Sequence, residues 1–256
     1  MNTYLILSLI LVYITSGISA SIIYHQTLSH KVIKLSPWFE KMMVLIALPI
    51  GTPVQWAGTH RQHHLYTDIE GDPHSPVLYG FWYAHCGWYI SSKNPFICFL
   101  YAIAGIFRMF FDAFWRPRHR LEYNYLATDI SSDKFYNAIS KPINYTIIVF
   151  LYASLLCFLF YSLSGFYGLV WLWFILAIVY NLGDAINSIA HTYGKKLNDK
   201  LSVKNNHLLA QFTFGEGLHA NHHHNPSLLT NTTSKFNLLN IILKIWKNLG
   251  LARFSN

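Results

Sequence analysis

Charge is what this chain has least of. Only 12% of its 256 residues are Asp, Glu, Lys or Arg, about half the roughly 25% of a soluble domain. A surface so short of charge cannot face water on every side. With 53% apolar and 17% aromatic residues, the chain reads as an integral membrane protein. Cysteine is scarce too: Cys86, Cys98 and Cys157 form no Cys-x-x-Cys pair. That excludes a disulfide framework, a rubredoxin-like site and an iron–sulfur centre, so any electrons the protein uses must come from outside. The basic excess is modest, and Lys31, Lys34, Lys93, Arg116, Arg118, Arg120, Lys195 and Lys196 all lie close to apolar segments. The positive-inside bias places them there, and nucleic acid is not an expected partner. Repeats and low-complexity linkers are absent, so residues 1–256 are taken as a single domain.

Histidine is what the chain has in their place, fourteen in all. Nine lie just outside long apolar segments: His25 and His30 as His-x4-His; His60, His63 and His64 as His-x2-His-His; His191 alone; and His219, His222 and His223 as a second His-x2-His-His. Neutral imidazole is the commonest metal-binding side chain, and nine are too many for one ion. Two six-coordinate ions, with a few positions left for water or oxygen, are the simplest arithmetic. Nitrogen ligands with open positions suit iron and oxygen chemistry. Residues at i, i+3 and i+4 project from one helix face, so each His-x2-His-His is expected to present its nitrogens as one comb. His25 and His30 lie about 140° apart on an α-helix. They are expected to grip from different directions or to straddle a helix end. Asn187 and His191 share a face at i, i+4. An amide is a feeble iron ligand, so Asn187 is expected to hold an iron-bound water. One His-x2-His-His alone is usually a surface feature; four clusters beside apolar segments favour metal. His74, His85, His119 and His207 are read as neighbours of the ligands or as solvated, and His224 as exposed.

Apolar stretches run over Tyr4–Tyr24, Trp38–Trp56, Pro95–Trp115, Ile143–Ser162 and Phe166–Ile186. About 20 apolar residues span a bilayer as a helix, so length alone suggests five crossings. The histidines forbid that count, because ligands of one centre cannot sit on faces roughly 30 Å apart. His30 and His60 flank the second stretch, so residues 38–56 must enter and return or lie at the interface; Gly51 and Pro53 would help it break. His64 and His191 must likewise share a face, which makes 95–115 interfacial or re-entrant. Arg108 and Asp112 interrupt that stretch at i, i+4, fitting an amphipathic helix among headgroups. Three crossings remain, near 4–24, 143–162 and 166–186. Ser162–Gly165 is then an outer turn, with the N-terminus outside and the C-terminus and histidines on the cytoplasmic face. The first segment has no preceding basic residue and no small-residue cleavage site, so it is read as a retained span. The expected fold is an all-α integral membrane protein, a few transmembrane helices under a cytosolic helical cap that holds a histidine-bound di-iron centre.

The chain resembles the membrane fatty acyl desaturases of the Δ9 type, the stearoyl-CoA desaturase and bacterial acyl desaturase group. The resemblance rests on His25-Gln-Thr-Leu-Ser-His30, Trp56-Ala-Gly-Thr-His-Arg-Gln-His-His64, Asp72-Pro-His74 and Gly80-Phe-Trp-Tyr-Ala-His-Cys-Gly-Trp88. Asn187-Ser-Ile-Ala-His191-Thr-Tyr-Gly194 and Gly215-Glu-Gly-Leu-His-Ala-Asn-His-His223 complete it. It implies two iron ions on the nine histidines, with Asn187 holding a water on one of them. It also implies O2 as co-substrate and a cis double bond, at Δ9, placed in a saturated acyl chain. The acyl chain would be linked to CoA, a carrier protein or a lipid. Electrons would come from an external donor such as ferredoxin or cytochrome b5, and membrane lipid would surround the spans. A di-iron fatty acid or alkane hydroxylase is the alternative on the same ligands.

Three departures bear on this. Relatives usually carry one more span before the first box. Gly58-Thr59 stands where animal acyl-CoA members have Arg-Asp, which weakens the case for their mode of CoA recognition. Asp184 stands where an aromatic residue is common. An acid in a span is costly, and Asp184 is read as orienting a ligand imidazole. Glu216, between two glycines, is a second candidate for holding a ligand histidine or capping a helix. Trp171 and Trp173 could line an acyl tunnel but read better as lipid-facing belt residues. A b-type cytochrome would place single histidines inside facing helices, and a transporter would place polar groups along several spans; neither pattern is present.

Overall fold

The computed structural model describes residues 3–198, 202–227 and 238–254. The chain is mostly helical, and its helices begin where the sequence supplies the right pair of residues. Ser36-Pro37, Thr52-Pro53, Ser75-Pro76 and Asn94-Pro95 each put a polar residue before a proline at the first helical turn. Proline costs nothing there, since its missing N–H would be unpaired anyway. The Thr52 hydroxyl accepts the Gln55 N–H, and the Asn94 amide oxygen accepts those of Phe96 and Ile97.

Helix α1 (Thr3–Gly17) continues without a break into a π-helical segment, Ile18–Ser29. The two together are long and apolar enough to cross a membrane. So is α4 (Pro142–Thr192), which departs from helical backbone at Ser164 and Gly165. That departure is a reversal. The Cα of Gly168 lies so close to the Phe160 carbonyl that a Cβ would overlap it, and Gly165 takes φ +58 at the turn. Tyr145 and Tyr180, on opposite arms of α4, are both buried in the core cluster that includes Ala113. The 51 residues are therefore a hairpin of two arms, and the second arm runs on past Ile186 to carry His191 in its last turn.

Two further apolar stretches are bent. Pro37–Ile50 meets α2 (Pro53–Tyr66) at 74°, with Gly51 at φ +136 between them. Pro95–Ala102 meets α3 (Ile106–Arg118) at 111°, the chain breaking at Gly105. Arg108 and Asp112 on this second pair are not displayed on a surface as an amphipathic helix would show them. They are 1% and 0% exposed, turned inward against Asp184, Arg116 and Tyr101.

Among the described residues, two small antiparallel ladders depart from the all-helical expectation. Ile33–Leu35 pairs with Ala252–Phe254, and Lys195–Lys196 with Lys204–Asn205. The first ties the chain just after His30 to the C-terminal segment that follows the helix Leu238–Asn248. The second closes the loop after His191. Trp171 donates its indole N–H to the Leu5 carbonyl, packing the second arm of α4 against α1 rather than lining a cavity.

Candidate metal centre and its cavity

All nine histidines singled out by spacing meet. Among the described residues they form two groups, His25, His30, His60, His64 and His222, and His63, His191, His219 and His223, with ligating nitrogens within 4.8 Å of one another in each. The combs do not behave as expected. Each His-x2-His-His is shared between the groups: its i, i+4 pair goes to one and its i+3 ring to the other. Helix α2 gives His60 and His64 to the first group and His63 to the second. The short helix α5 (His219–His224) does the reverse, giving His222 to the first and His219 and His223 to the second. The two boxes thus cross-brace one another.

His25 and His30 straddle a helix end, one of the two arrangements expected, with His30 capping Ile18–Ser29, but the α-helical angle between them does not hold. The π winding of Ile18–Ser29 closes i→i+5 bonds, and the His30 N–H donates to the His25 carbonyl at 3.0 Å. A residue five positions on therefore returns to nearly the same side, and the two rings lie 4.9 Å apart. π-helical turns are rare and often sit at functional sites; here one turns a poor spacing into a pair.

Four rings are held from behind. Nδ1 of His25 lies 3.1 Å from Glu216 Oε2, Nδ1 of His63 lies 3.0 Å from Asp72 Oδ1, and Nδ1 of His191 lies 2.9 Å from Asp68 Oδ2. The Thr67 hydroxyl donates to the His63 carbonyl, so at 3.1 Å it accepts from His223 Nδ1. A neutral imidazole has one N–H, and each of these four spends it outward. Their Nε2 lone pairs then face the middle of the cluster, His63 Nε2 standing 3.2 Å from His223 Nε2. Two lone pairs at that distance cannot bond to each other, and among the described residues buried His191 Nε2 has no hydrogen-bond partner. Bare nitrogens aimed at one another fit a cation between them. Carboxylate behind imidazole is the arrangement that orients metal-bound histidine.

Burial favours the neutral form of several of the clustered rings. It lowers the His30 pKa to about 2, with repulsion from His25 and Arg61 adding to the effect, and it pushes His219 and His223 well below the ordinary range. Burial alone would raise the Asp68 carboxyl, but the hydrogen bond and charge of His191 together with the Ser202 and Ser75 hydroxyls hold it down at about 2. Asp68 and Asp72 were not singled out by spacing. The available signal was two acids, four and eight residues after His64.

Among the other predicted residues, Glu216 holds His25, whereas Asp184 does not hold an imidazole. Its carboxylate is paired with Arg108, at 2.5 and 3.2 Å. An acid this deeply buried takes the nearest guanidinium, and Asp184 faces the bent pair rather than the histidines. Asn187 is half-buried on the same arm and borders the cavity described below. His74 is buried and stacks on His63 at 4.4 Å. His85 is buried too, its Nδ1 2.9 Å from the Ser188 hydroxyl and its Nε2 2.9 Å from Asn181 Oδ1. His119 is half-buried, and His207 and His224 are exposed. Gly58 leaves no room for a larger residue, since a Cβ there would overlap the Tyr123 carbonyl.

A cavity of about 200 Å³ runs beside both groups. One wall carries His25, His60, His63 and His219; Tyr13, Gly17 and Phe214 bound an apolar part, and Trp88, Arg108 and Tyr180 a polar part. Tyr13 and Phe214 stack at 4.7 Å.

Comparison with known proteins now bears on this geometry. The profile of a family described as fatty acid desaturase matches residues 3–237. An acyl-CoA 5-desaturase of Anemone leveillei is 31% identical over 222 residues, 85% of this chain and 60% of that protein. An sn-1 stearoyl-lipid 9-desaturase of Anabaena variabilis is 30% identical, over 84% of this chain and 70% of its own length. A Delta-9 acyl-lipid desaturase of Arabidopsis thaliana is 30% identical, over 84% and 62%. The chain thus spans only some 50–60% of the length of the first few relatives it matches.

Proposed function

This chain belongs to the fatty acid desaturase family, and on that premise we propose that it is an O2-dependent acyl desaturase. It introduces a cis double bond, at Δ9, into a saturated acyl chain. The nine histidines hold two iron ions, and Asn187 holds a water on one of them. The observation that carries the reading is the convergence of nine imidazoles in groups of five and four, five of them buried and the rest half-buried, several with their N–H bonds drawn outward by carboxylates. A lone histidine box has no such backing.

Iron, when bound with O2 and two delivered electrons, supplies an oxidant strong enough to remove hydrogen from an unactivated methylene pair. Every other task falls to the protein. Glu216, Asp72, Asp68 and Thr67 fix ring orientation, and the low basicity of the buried rings keeps their nitrogens free for metal. The cavity brings an apolar chain past His60 and His63 and keeps water from it.

In the membrane reading, α1 and the two arms of α4 make the crossings near 4–24, 143–162 and 166–186. The bends of 74° and 111° support interfacial or re-entrant placement of 38–56 and 95–115, and the site opens on the cytoplasmic face. The substrate is an acyl chain on CoA, a carrier protein or a lipid, and relatives named as acyl-CoA and as acyl-lipid desaturases match about equally well. Electrons come from a separate donor such as ferredoxin or cytochrome b5. Fatty-acid profiling after expression in a host lacking its own desaturase tests the proposal. New cis-monoenes are expected; hydroxy acids without alkenes would assign the chain to the hydroxylase alternative.

A further inference from the structure

The polar part of the cavity holds three hydrogen-bond donors that nothing in the described protein satisfies. Among the described residues the Trp88 indole N–H, the Arg108 Nε–H and the Tyr180 hydroxyl are buried and have no hydrogen-bond partner, the Arg108 Nε standing 3.7 Å from Asp112 Oδ2, beyond hydrogen-bond reach, and all three residues border the cavity. They are close together. The Trp88 ring stacks 3.8 Å from Tyr89, and the Arg108 guanidinium carbon lies 5.2 Å from the Tyr89 ring and 4.5 Å from the Tyr180 ring. A buried donor left unpaired costs about 1–3 kcal/mol, and three around one cavity point to a ligand that brings oxygen acceptors.

The local charge says which kind of acceptor. Arg108 and Arg116 are matched by Asp112 and Asp184, all four buried, with Arg108 on Asp184 and Arg116 on Asp112. This quartet is neutral as it stands. A carboxylate or phosphate entering it would be a buried charge without a partner. A neutral acceptor meets the donors at no such cost. The apolar part of the cavity, toward Tyr13 and Phe214, suits hydrocarbon on the other side.

We infer that Trp88, Arg108 and Tyr180 form a subsite for the carbonyl oxygen of the acyl group, the neutral ester or thioester carbonyl that joins the chain to its carrier. This rests on the reading of the cavity as the acyl site, and it adds a polar anchor that sets how far the chain enters. Asp184 is part of that anchor, because it neutralises Arg108 and so excludes a charged headgroup from this position.

Binding without turnover tests it. The full metal-free chain in detergent is titrated with methyl octadecanoate, with S-methyl octadecanethioate and with octadecyl methyl ether, which lacks the carbonyl, and thermal unfolding is followed. The three probes partition alike into micelles, so differences report the site. The two carbonyl probes should bind about tenfold tighter than the ether, the worth of one or two hydrogen bonds. Trp88→Phe and Tyr180→Phe should each cut that ratio severalfold while leaving ether binding unchanged, which also shows that the variants are folded. A ratio well above one for the thioester alone would assign a CoA or carrier-protein substrate, and for the oxygen ester alone a glycerolipid. Equal binding of ester, thioester and ether would overturn the carbonyl subsite and leave the desaturase reading standing. Failure of all three to bind would overturn the subsite and also the acyl assignment of the cavity; the fatty-acid profile tests the activity separately.

Discussion

The Asp68 carboxylate accepts the Nδ1–H of His191 at 2.9 Å, joining a turn after the second histidine box to the last turn of a helix 123 positions on. Asp68 is held in turn by the Ser75 hydroxyl at 2.6 Å, and its backbone takes φ +57. A residue kept in the left-handed region to place one oxygen on one imidazole ties His191 to the second group. Asp68→Asn keeps the shape but loses the charge. It should weaken metal retention about 10–100-fold, measured by chelator competition, with the unfolding temperature of the metal-free protein little changed. Unchanged metal retention would remove Asp68 from the site.

His60→Ala should abolish double-bond formation while leaving membrane insertion intact. His224→Ala, one residue beyond the last box and exposed, should retain activity. Product analysis of membranes carrying each variant checks this. An active His60 variant would remove that residue from the ligands.

Removing Arg108 alone strands Asp184 in the interior. Arg108→Met should cost about 3–5 kcal/mol, as for other half-broken buried pairs, and pairing it with Asp184→Leu should recover most of the loss. Thermal unfolding of the single and double variants measures this. Additive losses would mean that the two side chains do not act as a pair.

Several buried rings have their neutral form favoured by folding, His30 down to about 2 and His74 to about 3. Their folded pKa values lie below the unfolded value near 6.5. Their contribution is therefore complete above pH 6.5 and declines as acid approaches the folded values, by about 1.4 kcal/mol per pH unit per ring. The metal-free protein should lose stability steadily from pH 6.5 to 4.5 in thermal unfolding. A flat profile would contradict the burial of neutral imidazoles.

Spacing was informative for the ligands because imidazoles at i, i+3 and i+4 leave a helix on one side wherever that helix packs. It could not say that His63 and His222 cross to the other group, since that depends on how α2 and α5 approach each other. It misjudged His25 and His30 because an α-helical period was assumed where the backbone winds as a π-helix, a choice no local residue type announces. Asp184 was assigned to a histidine, when its partner is a guanidinium from a segment 76 positions away. Apolar length marked every long stretch. The break beside Gly51 and the turn at Ser162–Gly165 were legible in the sequence; the bend at Gly105 and the angles of 74° and 111° that decide how those stretches are used become visible only with the chain folded.

The iron stoichiometry of the full chain is the most direct test of the central claim. Anaerobic titration of the metal-free protein with ferrous ion should saturate at two ions per chain. His64→Ala and His219→Ala, drawn from the two different groups, should each reduce the tightly held number to about one. Saturation at a single ion, or two ions still bound in both variants, would contradict a pair of metals clasped by these nine histidines.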